Sequence, residues 1–282
     1  MEQKTGKQHK RFGVILRRYG RIIIGGTVLV ALIIVAISAP SIAKFDPLKL
    51  DPYNVKCYPN AEHLMGTDGF GRDIFSRVVY GTRISLLVGV AVSALSAVLG
   101  IILGLLMGYY KKVDMVGMRI LEGVSAFPSM LLAMTLAAVL GSGVDKIIIA
   151  IGVVSTPSVA KIVRSQALSI REAEHVESAK AMGASDFRII FTHILPLCMS
   201  PLIIRITSGM ASAILTEASL SFLGVGISPN IPTWGGVLSE AKQFVIAYPF
   251  MVVYPGLAII VTVLSISILG DGLRDVLDPK LK

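Results

Sequence analysis

Charged residues are scarce in this sequence, and long uncharged stretches take their place. Only 16% of the 282 residues are charged, whereas about 25% is typical of a soluble domain. Hydrophobic residues make up 54% of the chain and are concentrated in long runs. This distribution excludes an ordinary soluble domain and predicts a protein that crosses a membrane several times.

Cysteine is also scarce, because Cys57 and Cys198 are the only two in the chain. Neither belongs to a Cys-x-x-Cys pair, so the sequence offers no redox or metal site built on paired cysteines. We expect the two thiols on opposite sides of the membrane, which excludes a disulfide between them.

Three motifs that carry chemistry are absent from the sequence. There is no G-x-x-x-x-G-K-[ST] phosphate cradle, no H-E-x-x-H and no G-x-S-x-G. The first absence predicts that the chain does not hydrolyse ATP, and the other two leave a membrane hydrolase without a metal site or a nucleophile. We therefore predict no catalytic residue, no metal site and no cofactor bound by this chain.

Six apolar runs predict an all-α, polytopic membrane protein with about six transmembrane helices. A helix over residues 22–43 would be about 33 Å long, enough for a hydrocarbon core of about 30 Å. A cleaved signal peptide is disfavoured, because its apolar core would be shorter. The fourth run is interrupted by Pro157 and Lys161 and is interpreted as a span, with a re-entrant segment as the alternative. The predicted division is a basic N-terminus (1–21), a first transmembrane helix (22–43), an extracytoplasmic loop (44–83), a five-helix core (84–270) containing a cytoplasmic loop (161–196), and a cytoplasmic tail (271–282).

The net charge of +9 is unevenly placed along the chain. Seven of the basic residues precede the first apolar run, and most of the others fall in segments that a six-span topology places inside. The positive-inside rule therefore predicts that both termini are cytoplasmic, in a multi-pass protein of the cell membrane surrounded by lipid. No nucleic-acid recognition motif accompanies the charge, so no nucleic-acid partner is expected.

Glycine spacing in the second run predicts a close helix contact. Gly100, Gly104 and Gly108 are four residues apart and share one helix face. Such a face lets a second helix approach closely, although glycine is also simply tolerated in membrane helices.

The polar stretch before the fifth run contains a short helix-turn-helix pattern. Residues 172–182 are good helix formers, Gly183 is a candidate helix stop, and Ser185 and Asp186 are candidate caps of a following helix. An exposed helix of this size suits docking into a groove of a partner protein. A solvated connecting loop is the alternative from the pattern alone.

This stretch resembles the E-A-A-x-x-x-G loop, followed by L-P, of bacterial binding-protein-dependent ABC importer permeases. Ser178 stands where the middle alanine is usual. The resemblance implies a permease of the type I ABC importer fold, in which this loop is the helix that seats in the ATP-binding subunit. The implied coupling residues are Glu177, Ser178, Ala179, Gly183, Leu195 and Pro196.

Further motifs resemble the C-type permease of dipeptide, oligopeptide and nickel importers. They lie before and at the start of the second run (His63 to Leu86), across the end of the fifth run (Glu217 to Gly235) and near the C-terminus (Gly270 to Pro279). The first of them is also rich in turn formers and predicts a rigid outer platform that receives a solute-binding protein; local charge pairing is the alternative. The candidate docking residues are Gly66, Thr67, Asp68, Gly71, Arg72 and Asp73.

The resemblance implies the function and the partners. The chain would translocate di- or oligopeptides, or a related solute such as a nickel chelate or glutathione. It would work with a second permease subunit, two ATP-binding subunits that hold ATP and Mg, and an extracytoplasmic solute-binding protein in a bacterial or archaeal cytoplasmic membrane.

Arg205 and Glu217 are charged residues within an apolar run, which makes both candidates for the translocation path. Ser155, Thr156, Ser212 and Thr216 are weaker candidates. An ion-coupled secondary transporter that uses Glu217, or a membrane-anchored scaffold, would be the alternative function.

Overall fold

The computed structural model describes residues 2–277, with side chains from residue 19 onward, and within these residues the chain is helical and has no β-strand. The predicted all-α class is therefore confirmed. The longer helices are α1 (Glu2–Ile37), α3 (Ile74–Tyr109), α4 (Lys111–Ala126), α5 (Ser129–Leu140), α6 (Val144–Arg171), α9 (Leu195–Phe222) and α11 (Phe250–Leu277). The short ones are α2 (Ala39–Ile42), α7 (Glu174–Ala181), α8 (Asp186–Arg188), a π-helical segment (Ile189–Ile194), α10 (Trp234–Ala241) and a 3₁₀ turn (Lys242–Phe244).

Five of these segments are long and apolar enough to cross a membrane, and α4 with α5 makes a sixth if the bent pair is one span. The two helices of that pair meet at 91°. The bend falls at Phe127, which is extended because the following Pro128 disfavours a helical conformation there. About six spans were predicted, and this number is confirmed.

Several predicted boundaries were wrong by about ten residues. The loop predicted at 44–83 ends at Asp73, because α3 begins in a charged segment whose charges are paired inside the protein. The loop predicted at 161–196 begins only after Arg171, because α6 continues through Pro157 and Lys161. One missing backbone hydrogen bond at a proline is tolerated in a membrane helix.

The helices at both ends of the chain extend beyond the apolar runs. Helix α1 begins at Glu2 and runs without a break into the first candidate span, which begins at Tyr19, so the predicted basic N-terminus and first transmembrane helix belong to one helix in the described part. Helix α11 continues past Gly270 to Leu277, and the rest of the predicted tail, 278–282, lies outside the described residues.

The contact between α3 and α6 is the most extensive in the fold, and glycines make it possible. A Cβ added at Gly100, Gly104 or Gly108 would lie within 2.4–2.6 Å of a side chain on α6. The predicted glycine face is therefore a helix-packing surface. Helix α6 continues from this contact into the polar segment that contains α7.

The remaining spans extend the bundle on the other side of α3. Helix α9 packs on α3, α6 and α11, and α11 packs on α1. At the last contact Gly25 lies against the backbone of Ser265 and Leu269. A buried apolar cluster of α3, α9, α10 and α11 includes Ile74, Ile214 and Trp234.

We expect Gly104→Ala to lower the stability of the chain. The new Cβ would lie 2.6 Å from the Val163 Cβ and 2.7 Å from the Ala160 carbonyl oxygen, so α3 and α6 must separate. Overpacking of this kind costs about 1–3 kcal/mol. Gly256→Ala is the matched control, because a Cβ there has nothing within 4 Å. Thermal unfolding in detergent measures both variants, and equal midpoints would contradict the close contact.

Candidate functional site

The polar segment between α6 and α9 folds as the predicted helix, turn and second helix. Helix α7 ends at Ala181, and Gly183 follows with φ of 81°, a left-handed conformation that glycine adopts without steric cost. The Ser185 hydroxyl then accepts a hydrogen bond from the Arg188 backbone N–H at 3.4 Å and caps the next helix.

One face of α7 is buried and the other is exposed. Val176 and Ala179 are buried, and Val176 joins an apolar cluster with Ile189 and Ile194 at the start of the fifth span. The candidate coupling residues Glu177 and Ser178 lie on the exposed face. Among the other candidates, Gly183 and Pro196 are exposed, whereas Leu195 is half-buried. The fold thus holds α7 through its buried face and leaves the opposite face exposed in the described chain.

Two large apolar side chains on the same surface escaped the sequence analysis. Met182 is 81% exposed and Phe187 is 71% exposed, and the Phe187 ring lies 4.4 Å from that of Phe191. The sequence did contain a signal for this surface, because both residues are apolar and stand in a polar, charged stretch. Together with Glu177 and Ser178 they form a surface, here called the coupling surface, that is suited to a protein partner.

Hydrogen bonds connect this segment to the C-terminal end of α3. The hydroxyl groups of Tyr109 and Tyr110 donate to Asp186 at 2.7 and 3.0 Å. The Arg171 guanidinium donates to the Tyr109 carbonyl oxygen at 3.2 Å. These bonds attach both sides of α7 to the α3 end, so the coupling surface has a defined position relative to the bundle.

The six candidate docking residues of the outer loop are all buried in the described chain. Asp68 accepts from Arg72 at 2.7 Å and from Arg77 at 2.6 Å, and Glu240 accepts from both arginines. Asp73 pairs with the His63 ring at 2.9 Å. The alternative of local charge pairing therefore describes what the charged side chains do, and docking on this loop stays a prediction.

Backbone geometry explains the remaining members of the motif. Gly66 and Gly71 have φ of 75° and 76°, and a Cβ at Gly71 would lie 1.9 Å from the Asp51 carbonyl oxygen. The Asn54 side chain donates to the Asp51 carboxyl and lowers its pKa. Asp73 accepts from the Ser76 N–H at 2.8 Å and caps α3. The loop is thus a rigid brace at the N-terminal end of α3.

A cavity of about 440 Å³ opens between α5, α6 and α9, and Arg205 lines it. Ser155, Ser212 and Thr216, three of the weaker candidates, line it as well. The fourth, Thr156, is buried outside this cavity and donates to the Gly152 carbonyl oxygen. The structure thus brings most of the predicted path residues to one place.

Glu217 does not lie in this cavity, although its neighbour Thr216 does. Its side chain is fully buried, and its Oε1 accepts from the Ser221 hydroxyl at 2.8 Å. Its Oε2 has no hydrogen-bond partner, and the residue forms no ion pair with any described residue. The structure therefore places Glu217 outside this cavity, in the packing between α9 and the segment that follows, and its role on the path stays a prediction.

The residues from 19 to 277 contain no group of three His, Cys, Asp or Glu side chains that could hold a metal ion. Cys57 and Cys198 are both free, and Cys198 is buried.

Residues 96–282 match the protein family described as the binding-protein-dependent transport system inner membrane component. The chain is 44% identical to a dipeptide transport system permease protein, DppC, of Alkalihalophilus pseudofirmus, over 92% of this chain and 86% of that protein. It is 42% identical to a glutathione transport system permease protein, GsiD, of Pectobacterium atrosepticum, over 83% of this chain and 81% of that protein.

A solved structure with the same fold is a chain of the MetNI methionine ABC transporter in inward-facing conformations. The superposition has a TM-score of 0.61 at 18% identity and covers 72% of this chain and 96% of that one. At this level of identity the similarity shows the fold alone.

We expect Glu217→Gln to preserve the stability of the chain and Glu217→Ala to reduce it. Glutamine keeps the volume and the acceptor for Ser221, whereas alanine leaves a cavity and a buried hydroxyl without its partner, at about 1–3 kcal/mol. Thermal unfolding in detergent compares the two variants. If glutamine were as destabilising as alanine, the packing role would be wrong.

Proposed function

Since the chain belongs to the family of binding-protein-dependent transport system inner membrane components and is a permease subunit of an ATP-binding-cassette importer, we propose that its cargo is a di- or oligopeptide. The support is the function of its relatives, which are named dipeptide, peptide and glutathione permeases and are 41–44% identical to this chain. Glutathione is itself a tripeptide, so it belongs to the same class of solute. Nickel chelates, which the sequence analysis also allowed, are the alternative cargo.

The proposed complex contains a second permease subunit, two ATP-binding subunits and an extracytoplasmic solute-binding protein. ATP and Mg would be bound by the partner subunits, because this chain has no phosphate cradle in its sequence. The observation that supports an ATP-binding partner is the coupling surface, where Met182 and Phe187 are exposed beside Glu177. An apolar patch with a charged edge is typical of a protein interface.

Movement imposed on α7 would reach the cavity through two helices. Val176 anchors α7 to the start of the fifth span. Arg205 lies further along the same span, on α9. The other side of α7 follows α6, which carries Ser155. Closure of the ATP-binding subunits would thereby favour one orientation of the cavity over the other, which is a population shift by differential binding.

The permease has several spans and lies in a cell membrane. We propose that both of its termini and α7 are cytoplasmic and that the loop before α3 is outside, on the basis of the basic N-terminal sequence. The alternative of a proton-coupled transporter is not supported, because Glu217 is buried in the core and the relatives are ABC permeases.

Orientation can be measured with single cysteines placed in a chain whose two native cysteines are replaced by alanine. Tyr53→Cys, at a position 96% exposed before α3, should react with a membrane-impermeant thiol reagent added to intact cells. Lys112→Cys, at an exposed position at the start of α4, should react only after the membrane is permeabilised. Reaction of Lys112→Cys in intact cells would contradict the proposed orientation.

The coupling segment can be tested at Gly183, where conformation is the only constraint. A side chain there meets nothing within 4 Å, but φ is +81°. Valine in this conformation is strained by about 1–2 kcal/mol, whereas asparagine tolerates it. We expect Gly183→Val to impair transport and co-purification of the ATP-binding subunits, and Gly183→Asn to retain both. Equal transport by the two variants would mean that the turn is only a connector.

Glu177 gives a second test of the same surface. It is exposed and its charge is available to a partner, so Glu177→Lys should weaken the contact by about 1–3 kcal/mol if a charged hydrogen bond is lost. Membrane insertion should be unchanged. The measurement is ATPase co-purification with the tagged permease, with Glu174→Lys on the same helix as the matched control. Full recovery of the ATP-binding subunits with Glu177→Lys would show that Glu177 does not lie in the interface.

A further inference from the structure

Arg205 lies deep within a membrane span. It is ten residues beyond Leu195, the start of α9, which is about 15 Å along the helix and about half of a 30 Å hydrocarbon core. A long side chain at a helix end can reach the membrane surface, but one at this depth cannot do so easily. A charged residue in such a place requires either a counter-charge or a polar cavity.

No counter-charge is supplied by the described chain. Arg205 forms no ion pair with any residue from 19 to 277. Its Nε donates to the Ser158 hydroxyl at 3.0 Å, and Nη1 is 3.5 Å from the Ser208 hydroxyl. A guanidinium has five N–H donors in a fixed fork, so most of its donors stay available where the side chain lines the cavity.

The rest of the cavity wall supplies hydrogen-bond acceptors. Ser212, Thr216 and Ser219 each donate their hydroxyl hydrogen to a backbone carbonyl one turn earlier on α9, at 3.1, 2.8 and 2.8 Å. Each hydroxyl oxygen then has lone pairs left and no hydrogen to give. The cavity therefore presents one fixed cation and a row of acceptors on the same helix.

A cation beside several hydrogen-bond acceptors matches the carboxylate end of a peptide better than its amino end. A terminal carboxylate pairs with a guanidinium through two parallel charge-assisted hydrogen bonds, and peptide N–H groups donate to hydroxyl oxygens. The volume of about 440 Å³ lies within the range of small-ligand sites, about 300–1,000 Å³.

We propose that Arg205 binds the terminal carboxylate of the transported peptide, while the hydroxyl oxygens of Ser212, Thr216 and Ser219 accept its N–H groups. This inference rests on the proposed peptide cargo. Arg205 is then the residue of this chain that selects cargo with a free carboxylate, and Ser158 holds its guanidinium in place from α6.

The test uses the assembled importer in proteoliposomes, with the solute-binding protein loaded to saturation with trialanine or with trialanine C-terminal amide. Loading in advance removes selection at the delivery step. The variants are Arg205→Gln, which removes the charge, and Arg205→Lys, which keeps the charge but lacks the forked N–H donors of the guanidinium. Arg119→Gln is the matched control, because Arg119 is exposed on α4 and forms no ion pair with a described residue.

We expect Arg205→Gln to lower trialanine import by about tenfold or more, the loss expected for a charge-assisted hydrogen bond, with amide import unchanged. Arg205→Lys should retain part of the preference for the free acid, and the Arg119 control should resemble the wild type.

Three outcomes would overturn the inference. Equal loss of both substrates in Arg205→Gln, with the complex intact, would assign Arg205 to a carboxylate of another subunit. No change with either substrate would show that the guanidinium does not contact cargo. A wild-type complex that imports neither peptide would overturn the proposed cargo itself, and this inference with it.

Discussion

The close approach of α3 to α6 along three glycines determines where the functional parts of the protein lie. A Cβ at any of Gly100, Gly104 and Gly108 would collide with α6, so the two helices share a contact that neither can leave without losing buried area. Helix α3 begins at the outer brace, and α6 carries Ser155 of the cavity and leads into α7. The outer loop, the cavity and the coupling surface are therefore attached to one helix pair.

Buried charge at the N-terminal end of α3 is kept because both arginines there are paired with carboxylates, although the Arg77 Nε has no hydrogen-bond partner in the described chain. Asp68 and Glu240 each accept from both Arg72 and Arg77, and an unpaired charge in such a place would be strongly destabilising. Glu240 belongs to α10, so the network fixes α10 against α3, and the Trp234 indole adds a hydrogen bond to the Val78 carbonyl oxygen at 3.0 Å. The brace gives the loop before α3 one shape, which is what a docking surface for another protein requires.

Local features were predictable from the sequence, and features that depend on distant partners were not. The glycine spacing and the turn at Gly183 follow from helix periodicity and backbone sterics alone, and both are confirmed. The start of α3 was placed too late because the partner of Arg77, Glu240, is 163 residues away. Glu217 and Thr216 are adjacent, yet only the neighbouring helices decide which of them faces the cavity. Pro128 ends a helix whereas Pro157 does not, a difference that no single-residue rule anticipates.

The central claim is that α3, α6 and α7 move as one body when ATP drives the importer. Spin labels at Leu87 on α3 and at Glu174 on α7, both exposed, report on it directly through their separation in the assembled complex. The measurement is pulsed electron–electron double resonance in the nucleotide-free state and in the ATP-bound state of a hydrolysis-deficient complex. The account predicts the same distance distribution in both states. A distribution that shifts with nucleotide would contradict it, because α7 would then move relative to the helix pair that carries the cavity.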